Sequence, residues 1–458
     1  GFDTACMLKT VAHRLLQLSP SPSSYLRPAS ALLRSVQPRL DHPSLPPFRS
    51  LSMSTVMKAE EYAAALNVAR PPPAVVGQVL NEVNTPALCV DLDVMEANMK
   101  AMSASIKPYP SLILRPHAKA HKSGEIAQKL VREGGAVGVC CQKMCEVEEM
   151  ARWGVEDIFY SNEIANQQKA DRFAQIGKET GTKLSILVDD TVQVALLENA
   201  AKKNGINIDV IIEVNVGQDR CGVEPGADAV PLAQSIINAS HLTFKGIQAY
   251  QGWAQHVRDK EERRAIILDK VAGGAKATID ALKKAGIDCN FCTGGGTGTY
   301  PFEAESGVFN EIQPGSYIFM DADYGRNLVD GGRAFRDFGF SLFILAEIMS
   351  KPNSGRAVTD AGLKAVSLDS GVPTAADYVE GKGAVPREDL TYKSGGDEHG
   401  IVIVSDEARS SWTKTVGDRI VFIPGHCDPT VNMHDWLVGV RKGKVEKVFA
   451  VGGRGPGH

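Results

Sequence analysis

The stretch Arg115-Pro116-His117-Ala118-Lys119-Ala120-His121-Lys122 follows directly on the apolar run Leu112-Ile113-Leu114. A short branched run of this kind reads as a buried strand, and the eight residues after it as the loop at the strand's end. In a barrel of parallel strands, reactive side chains sit at that place. Two lysines, two histidines and an arginine share these positions. Repulsion among cations favours a neutral amine, so Lys119 is expected to be partly deprotonated near neutral pH, as a Schiff-base lysine requires. A basic loop that binds phosphate or faces water is the plainer alternative.

Outward from this loop, strand-like and helix-like segments alternate. Strands are expected near 112–114, 136–140, 158–160, 184–188, 210–216, 244–250, 289–292 and 311–312, with amphipathic stretches such as 162–176, 192–203 and 261–285 between them. Eight short strands separated by helices indicate a parallel α/β fold, most simply a closed (β/α)8 TIM barrel. An earlier strand, 87–92, and a helix over 94–105 precede it. From about Phe338 the pattern changes to short strands broken by Gly, Pro and Asp, including 341–348, 400–404, 418–423 and 445–450, which predicts a mostly antiparallel β domain. The expected organisation is a leader and linker over 1–73, a barrel over 74–338 and the β domain over 339–458.

At 458 residues the chain can bury a large core. A hydrophobic fraction of 43% and a formal net charge of -4 give no reason to expect a nucleic-acid or membrane partner. No run of about eighteen apolar residues predicts a spanning helix. Between Met7 and Met57, Lys9, Arg14, Arg27, Arg34, Arg39 and Arg49 face the lone acid Asp41 among many Ser and Pro residues. That is the composition of a transit peptide for a chloroplast or mitochondrion; otherwise the chain is cytoplasmic. Ala69-Arg70-Pro71-Pro72-Pro73 reads as a stiff linker.

Of the nine cysteines, Cys89, Cys140, Cys221, Cys289 and Cys292 lie in or beside apolar runs and are expected to be free thiols. On a strand, Cys289 and Cys292 point to opposite faces, which argues against a metal or redox site. Thr293-Gly294-Gly295-Gly296-Thr297-Gly298-Thr299 follows a late strand, where bare backbone N–H groups and threonine hydroxyls converge on an anion or simply form a turn. Arg220, at the end of another strand, is placed to face an oxyanion or to make a surface ion pair. His426 and Asp428 fall on one face of an extended segment and suit Mn²⁺ or Mg²⁺, with Cys427 turned away. Asp397-Glu398-His399-Gly400 is a turn or an outer support for that ion.

Together these segments resemble the fold-type III pyridoxal-phosphate enzymes, within them the D-threonine aldolase and D-serine dehydratase family. The resemblance rests on Arg115-Pro116-His117-x-Lys119-x-His121-Lys122, Arg220-x-Gly222-Val223, Gly295-Gly296-Thr297, Pro314-Gly315-x-Tyr317-x-Phe319-x-Asp321, Asp360-Ala361-Gly362, Glu398-His399-Gly400 and His426-x-Asp428, from about Asn84 to the C-terminus. It implies an alanine racemase-type barrel and a homodimer. It also implies that Lys119, within the His117 motif, holds pyridoxal 5'-phosphate, that Gly295, Gly296 and Thr297 bind its phosphate, and that Arg220 and Tyr250 flank its ring. His426 and Asp428 would hold the divalent metal. Glu213 departs from the related racemases, which carry a lysine supporting the arginine.

A His-x-Asp pair resembles the aldolases, whereas His-x-Cys resembles the dehydratases. The expected reaction is cleavage of D-threonine and similar D-β-hydroxy-α-amino acids to glycine and an aldehyde, with His121 and His256 as candidate proton acceptors. D-Serine dehydration and 3-hydroxy-D-aspartate cleavage are the alternatives. A non-catalytic cofactor-binding protein is a distant one, because such relatives lack the β domain.

Overall fold

The computed structural model describes residues 58–457, so the basic leader up to residue 57 lies outside the described residues. The first strand, β1 (Ala87–Asp91), is wholly buried and runs into the helix Leu92–Ile106. Asp91 caps that helix by accepting from Val94 N at 3.0 Å, which satisfies one of the N–H groups a helix start leaves free.

Eight short strands then build one parallel sheet: β2 (Ile113–Leu114), β3 (Val139–Cys141), β4 (Asp157–Tyr160), β5 (Lys183–Val188), β6 (Ile208–Glu213), β7 (Leu242–Ala249), β8 (Cys292–Gly294) and β9 (Glu311–Ile312). Their order is β2-β9-β8-β7-β6-β5-β4-β3. Parallel bridges Leu114↔Ala136 and His117↔Cys140 join the two ends, so the eight strands curl into a closed ring. The intervening helices carry the expected end signals. The one over Thr191–Asn204, for example, starts at Asp190, whose carboxylate accepts from Val192 N, and stops at Gly205 in the left-handed conformation that favours glycine.

Inside the ring, Cys140, Phe159, Leu187 and Ile211 form an apolar cluster, one residue from each of β3 to β6. Their strand neighbours Ile158 and Ile186 pack instead into the larger core, as the two-residue alternation of a strand requires. A hydrogen-bonded polar chain also crosses the interior. Arg115 Nε donates to Glu311 at 2.8 Å, Thr293 Oγ1 to the other oxygen of Glu311 at 2.9 Å, and Gln313 Nε2 to Thr293 at 2.7 Å and Gln248 at 2.8 Å. Gln248 Nε2 in turn donates to Glu213 at 2.6 Å. Buried polar groups are tolerable when paired in this way.

After a short hairpin, β10 (Leu328–Val329) with β11 (Arg333–Ala334), the chain enters a second sheet. It comprises β12 (Leu342–Asn353), β13 (Arg356–Thr359), β14 (Thr374–Val379), β15 (Gly383–Pro386), β16 (Leu390–Ser394), β17 (Gly400–Val404), β18 (Arg419–Ile423), β19 (Trp436–Arg441) and β20 (Lys444–Ala450). Nearly all its pairings are antiparallel.

Two expectations need correction. Residues 74–338 do not all belong to the barrel, because β1 is a central strand of the second sheet, antiparallel to β12 and parallel to β19. A short strand buried on both faces reads alike in either sheet, so its composition gives no hint of which one it joins. Cys289 and Cys292 do not share a strand either. β8 begins at Cys292, and the Cys289 thiol contacts Phe291 O at 3.8 Å. All eight described cysteines are free.

Candidate active site

The loops after β2, β6, β7, β8 and β9 open with the N-cap of the helix Cys427–Asn432 onto one cavity of about 470 Å³. His117, Lys119, Arg220, Tyr250, His256, Gly296, Thr297, His426 and Asp428 all line it. The barrel amine and the His-x-Asp pair of the second sheet therefore meet: Lys119 Nζ lies 3.8 Å from Asp428 Oδ2, and Asp428 Oδ2 lies 3.9 Å from His426 Nε2. Gly295 sits in the same loop but not on the cavity wall, and His121 is fully buried away from it.

Crowding by cations does not govern Lys119, because its basic neighbours are each engaged elsewhere. Arg115 pairs with Glu311 and Asp157, both at 2.8 Å. Lys122, at a φ of 52°, turns to Glu146 at 2.7 Å. Burial drives His117 well below its ordinary pKa and His121 down to about 3, so both rings are neutral. Burial likewise favours a neutral Lys119, but Tyr250 and Asp428 outweigh it and raise its pKa. The amine is thus cationic until it reacts, contrary to the sequence expectation.

His117 is fixed from both sides: Nδ1 accepts from Lys119 N at 3.3 Å, while Nε2 lies 3.1 Å from Ser161 Oγ and 3.2 Å from Gln142 Oε1. Arg220 and Lys119 stand about equally far from the Tyr250 ring centre, 5.9 and 6.0 Å. Glu213 is buried beside Arg220, and desolvation with the nearby Glu163 lifts its pKa to about 8. A neutral acid held by Gln248 thus stands where the related racemases carry lysine.

The glycine-rich loop fits a phosphate. Gly295 has a φ of +73°, and a Cβ on Gly296 would fall 2.6 Å from Gln255 Oε1, so backbone comes close where a side chain would not fit. Thr297 Oγ1 is buried without a partner among the described residues, a donor left for a ligand. The metal donor set also fits. Burial alone would lower the His426 pKa, but the hydrogen bond its Nδ1 donates to Asp369 and the charges of Asp428 and Asp321 raise it to about 9, so an ion would have to displace the Nε2 proton. Burial would raise Asp428, yet Lys119 and His426 bring it to about 2. One imidazole and one carboxylate leave most of an ion's coordination to water or substrate, as Mn²⁺ and Mg²⁺ accept.

The pair does not lie on an extended segment, as its spacing suggested. His426 is an N-cap with extended backbone and Asp428 occupies the first turn of the helix, which Asp321 anchors by accepting from Cys427 N at 3.0 Å. The Cys427 thiol is nonetheless buried and off the cavity wall. Asp397, Glu398 and His399 form an exposed turn in which Glu398 pairs with Lys364 at 2.5 Å.

Sequence reasoning missed two acids, Asp323 and Asp369. Asp323 Oδ2 holds His256 Nδ1 at 2.5 Å, and Asp369 Oδ2 holds His426 Nδ1 at 2.7 Å. The Asp321-Ala322-Asp323 spacing gave a weak hint of the first; nothing around Leu368-Asp369-Ser370 pointed to the second.

Residues 90–323 match the family described as "Alanine racemase, N-terminal domain", and residues 341–440 match the one described as "Putative serine dehydratase domain". The class is thus a fold-type III pyridoxal-phosphate enzyme with a racemase-like barrel and a dehydratase-like sheet. The chain is 43% identical over 388 residues to 3-hydroxy-D-aspartate aldolase of Paracoccus denitrificans (strain Pd 1222), spanning 84% of this chain and 96% of that one. It is 42% identical to D-threonine aldolase of an Arthrobacter species, spanning 85% and 97%. The crystal structure of D-threonine aldolase from Filomicrobium marinum superposes with a TM-score of 0.77 at 40% identity, covering 83% of this chain and 99% of that one. The chain belongs to this aldolase family, as its motifs predicted, and is a lyase.

Proposed function

We propose that this enzyme cleaves D-threonine and related D-β-hydroxy-α-amino acids to glycine and an aldehyde, using pyridoxal 5'-phosphate and a divalent metal. The observation that carries the reading is the 3.8 Å approach of Lys119 to Asp428, which puts the amine of one fold element and the metal carboxylate of another within reach of one small substrate.

Lys119 would hold the cofactor, with Gly295, Gly296 and Thr297 on its phosphate and Arg220, Tyr250 and His117 about its ring. His426 and Asp428 would hold Mn²⁺ or Mg²⁺. Bound there, the cofactor supplies an electron sink for the broken Cα–Cβ bond, and the ion lowers the pKa of the β-hydroxyl. The chain's own part is to orient and to move a proton. Asp323 grips His256 Nδ1, leaving Nε2 to accept the hydroxyl proton. His121 is off the cavity, and its protonated form is strongly disfavoured, so His256 takes that role.

3-Hydroxy-D-aspartate is a second substrate reading. Arg258 and Arg326 both pair with the single Asp323 carboxylate beside His256, leaving surplus positive charge near the wall of the cavity for a second carboxylate. One assay tests the proposal: incubate the protein with D-threonine and L-threonine, with Mn²⁺ or after chelation, and measure acetaldehyde. Acetaldehyde from the D-isomer alone, lost on chelation and restored by Mn²⁺, is expected. Undiminished activity after chelation refutes the metal's part, and pyruvate with ammonia from D-serine in place of acetaldehyde makes the enzyme a dehydratase.

A further inference from the structure

We infer that Asp369 is a positioning residue for the metal, fixing the tautomer and aim of His426; the inference rests on His426 and Asp428 binding a divalent ion, as proposed above. A metal-binding imidazole offers one nitrogen to the ion and needs the other tied down, because a ring free to rotate or to shift its proton loses both aim and basicity. In this chain the tie is Asp369 Oδ2, 2.7 Å from His426 Nδ1. A carboxylate oxygen only accepts, so in this contact Nδ1 carries a proton and Nε2 is the nitrogen left for the ion. That Nε2 is the atom 3.9 Å from Asp428 Oδ2.

Asp369 is itself held. Ser367 Oγ donates to its other oxygen at 2.7 Å, and Ser367 N donates to Thr430 Oγ1 at 3.2 Å, on the helix that starts at His426. The Thr430 hydroxyl donates back to His426 O at 2.8 Å. On the other side, Arg326 donates to Ser370 O at 2.8 Å and to Asp323 Oδ1 at 2.6 Å, the acid that grips His256. One short loop, 367–370, is therefore bound both to the metal-binding helix and to the barrel residues around the proposed base. Asp369 is half exposed, so replacing it leaves no buried cavity.

Asp369→Asn keeps the shape and removes the charge. The test is calorimetric titration of Mn²⁺ into cofactor-loaded, chelator-stripped enzyme, with cofactor affinity measured in parallel. Asp369→Asn is expected to weaken Mn²⁺ binding about 10- to 100-fold, the usual effect of removing such a support, with cofactor affinity unchanged. Ser367→Ala, which frees only one oxygen of Asp369, should weaken it less. Parent-like Mn²⁺ affinity in Asp369→Asn overturns the inference, as does an equal loss of cofactor affinity, which marks a general structural effect. A parent enzyme that takes up no Mn²⁺ overturns the metal reading itself.

Discussion

Thr297→Val separates a hydroxyl that serves the fold from one that serves a ligand. Thr297 is 1% exposed, and its Oγ1 has no hydrogen-bond partner among the described residues. An unpaired buried hydroxyl does nothing for the cofactor-free protein and carries a desolvation cost, so exchanging it for a methyl of similar shape should leave that state as stable or slightly more so. With phosphate in the loop the balance reverses. A hydrogen bond to a charged group contributes about 1.5–3 kcal/mol, and at about 1.4 kcal/mol per factor of ten this is roughly a 10- to 150-fold loss of affinity for pyridoxal 5'-phosphate. The assay is titration of cofactor into stripped enzyme, followed by the visible absorption of the lysine-bound form, with thermal melts of the stripped proteins alongside. Thr297→Ser keeps the donor and should bind nearly as the parent does. A valine variant that binds cofactor as tightly as the parent, or whose stripped form melts well below it, refutes the reasoning.

Glu213→Gln should change how stability depends on pH. A folded carboxyl with a pKa of about 8 keeps its proton where the unfolded chain has already released it, so stability falls as pH rises from the ordinary carboxylate range towards 8. The variant loses this slope, and its melting temperature should gain on the parent's between pH 5 and pH 8; parallel curves would mean that Glu213 is ionised in the fold. Glu311→Gln attacks the polar chain inside the barrel, since Glu311 is fully buried and binds both Arg115 and Thr293. Breaking a buried ion pair costs about 3–5 kcal/mol, readable by urea denaturation, and a loss under about 1 kcal/mol would show that Asp157 alone neutralises Arg115.

The parts legible in the sequence are those whose chemistry is local. Lys119 and the 295–297 glycine-threonine run announce themselves because a strand end and a side-chain-free turn are written in consecutive residues. Charge balance was misread because it is settled at a distance: the lysine expected to be depressed by neighbours in sequence is raised by Tyr250 and by Asp428, more than 130 and more than 300 residues on. Asp323 and Asp369 escaped for the same reason, since an acid that orients a histidine through folded space leaves no spacing to detect. His426 and Asp428 lie 3.9 Å apart but not on the extended backbone their spacing suggests, because i and i+2 can converge from a helix N-cap and first turn as well.

The placement of β1 limits how this cleft can work. Ala87 to Val90 are laddered to Leu342–Leu345 on one side, and Cys89 to Asp91 to Val438–Val440 on the other, while the following helix leads straight into the barrel. The chain therefore crosses between the second sheet and the barrel twice, once out of β1 and once into β12, so the part that carries His426 is tied to the part that carries Lys119 at two points of the chain. Trp253, 58% exposed, and His256 line the cavity that these two parts share.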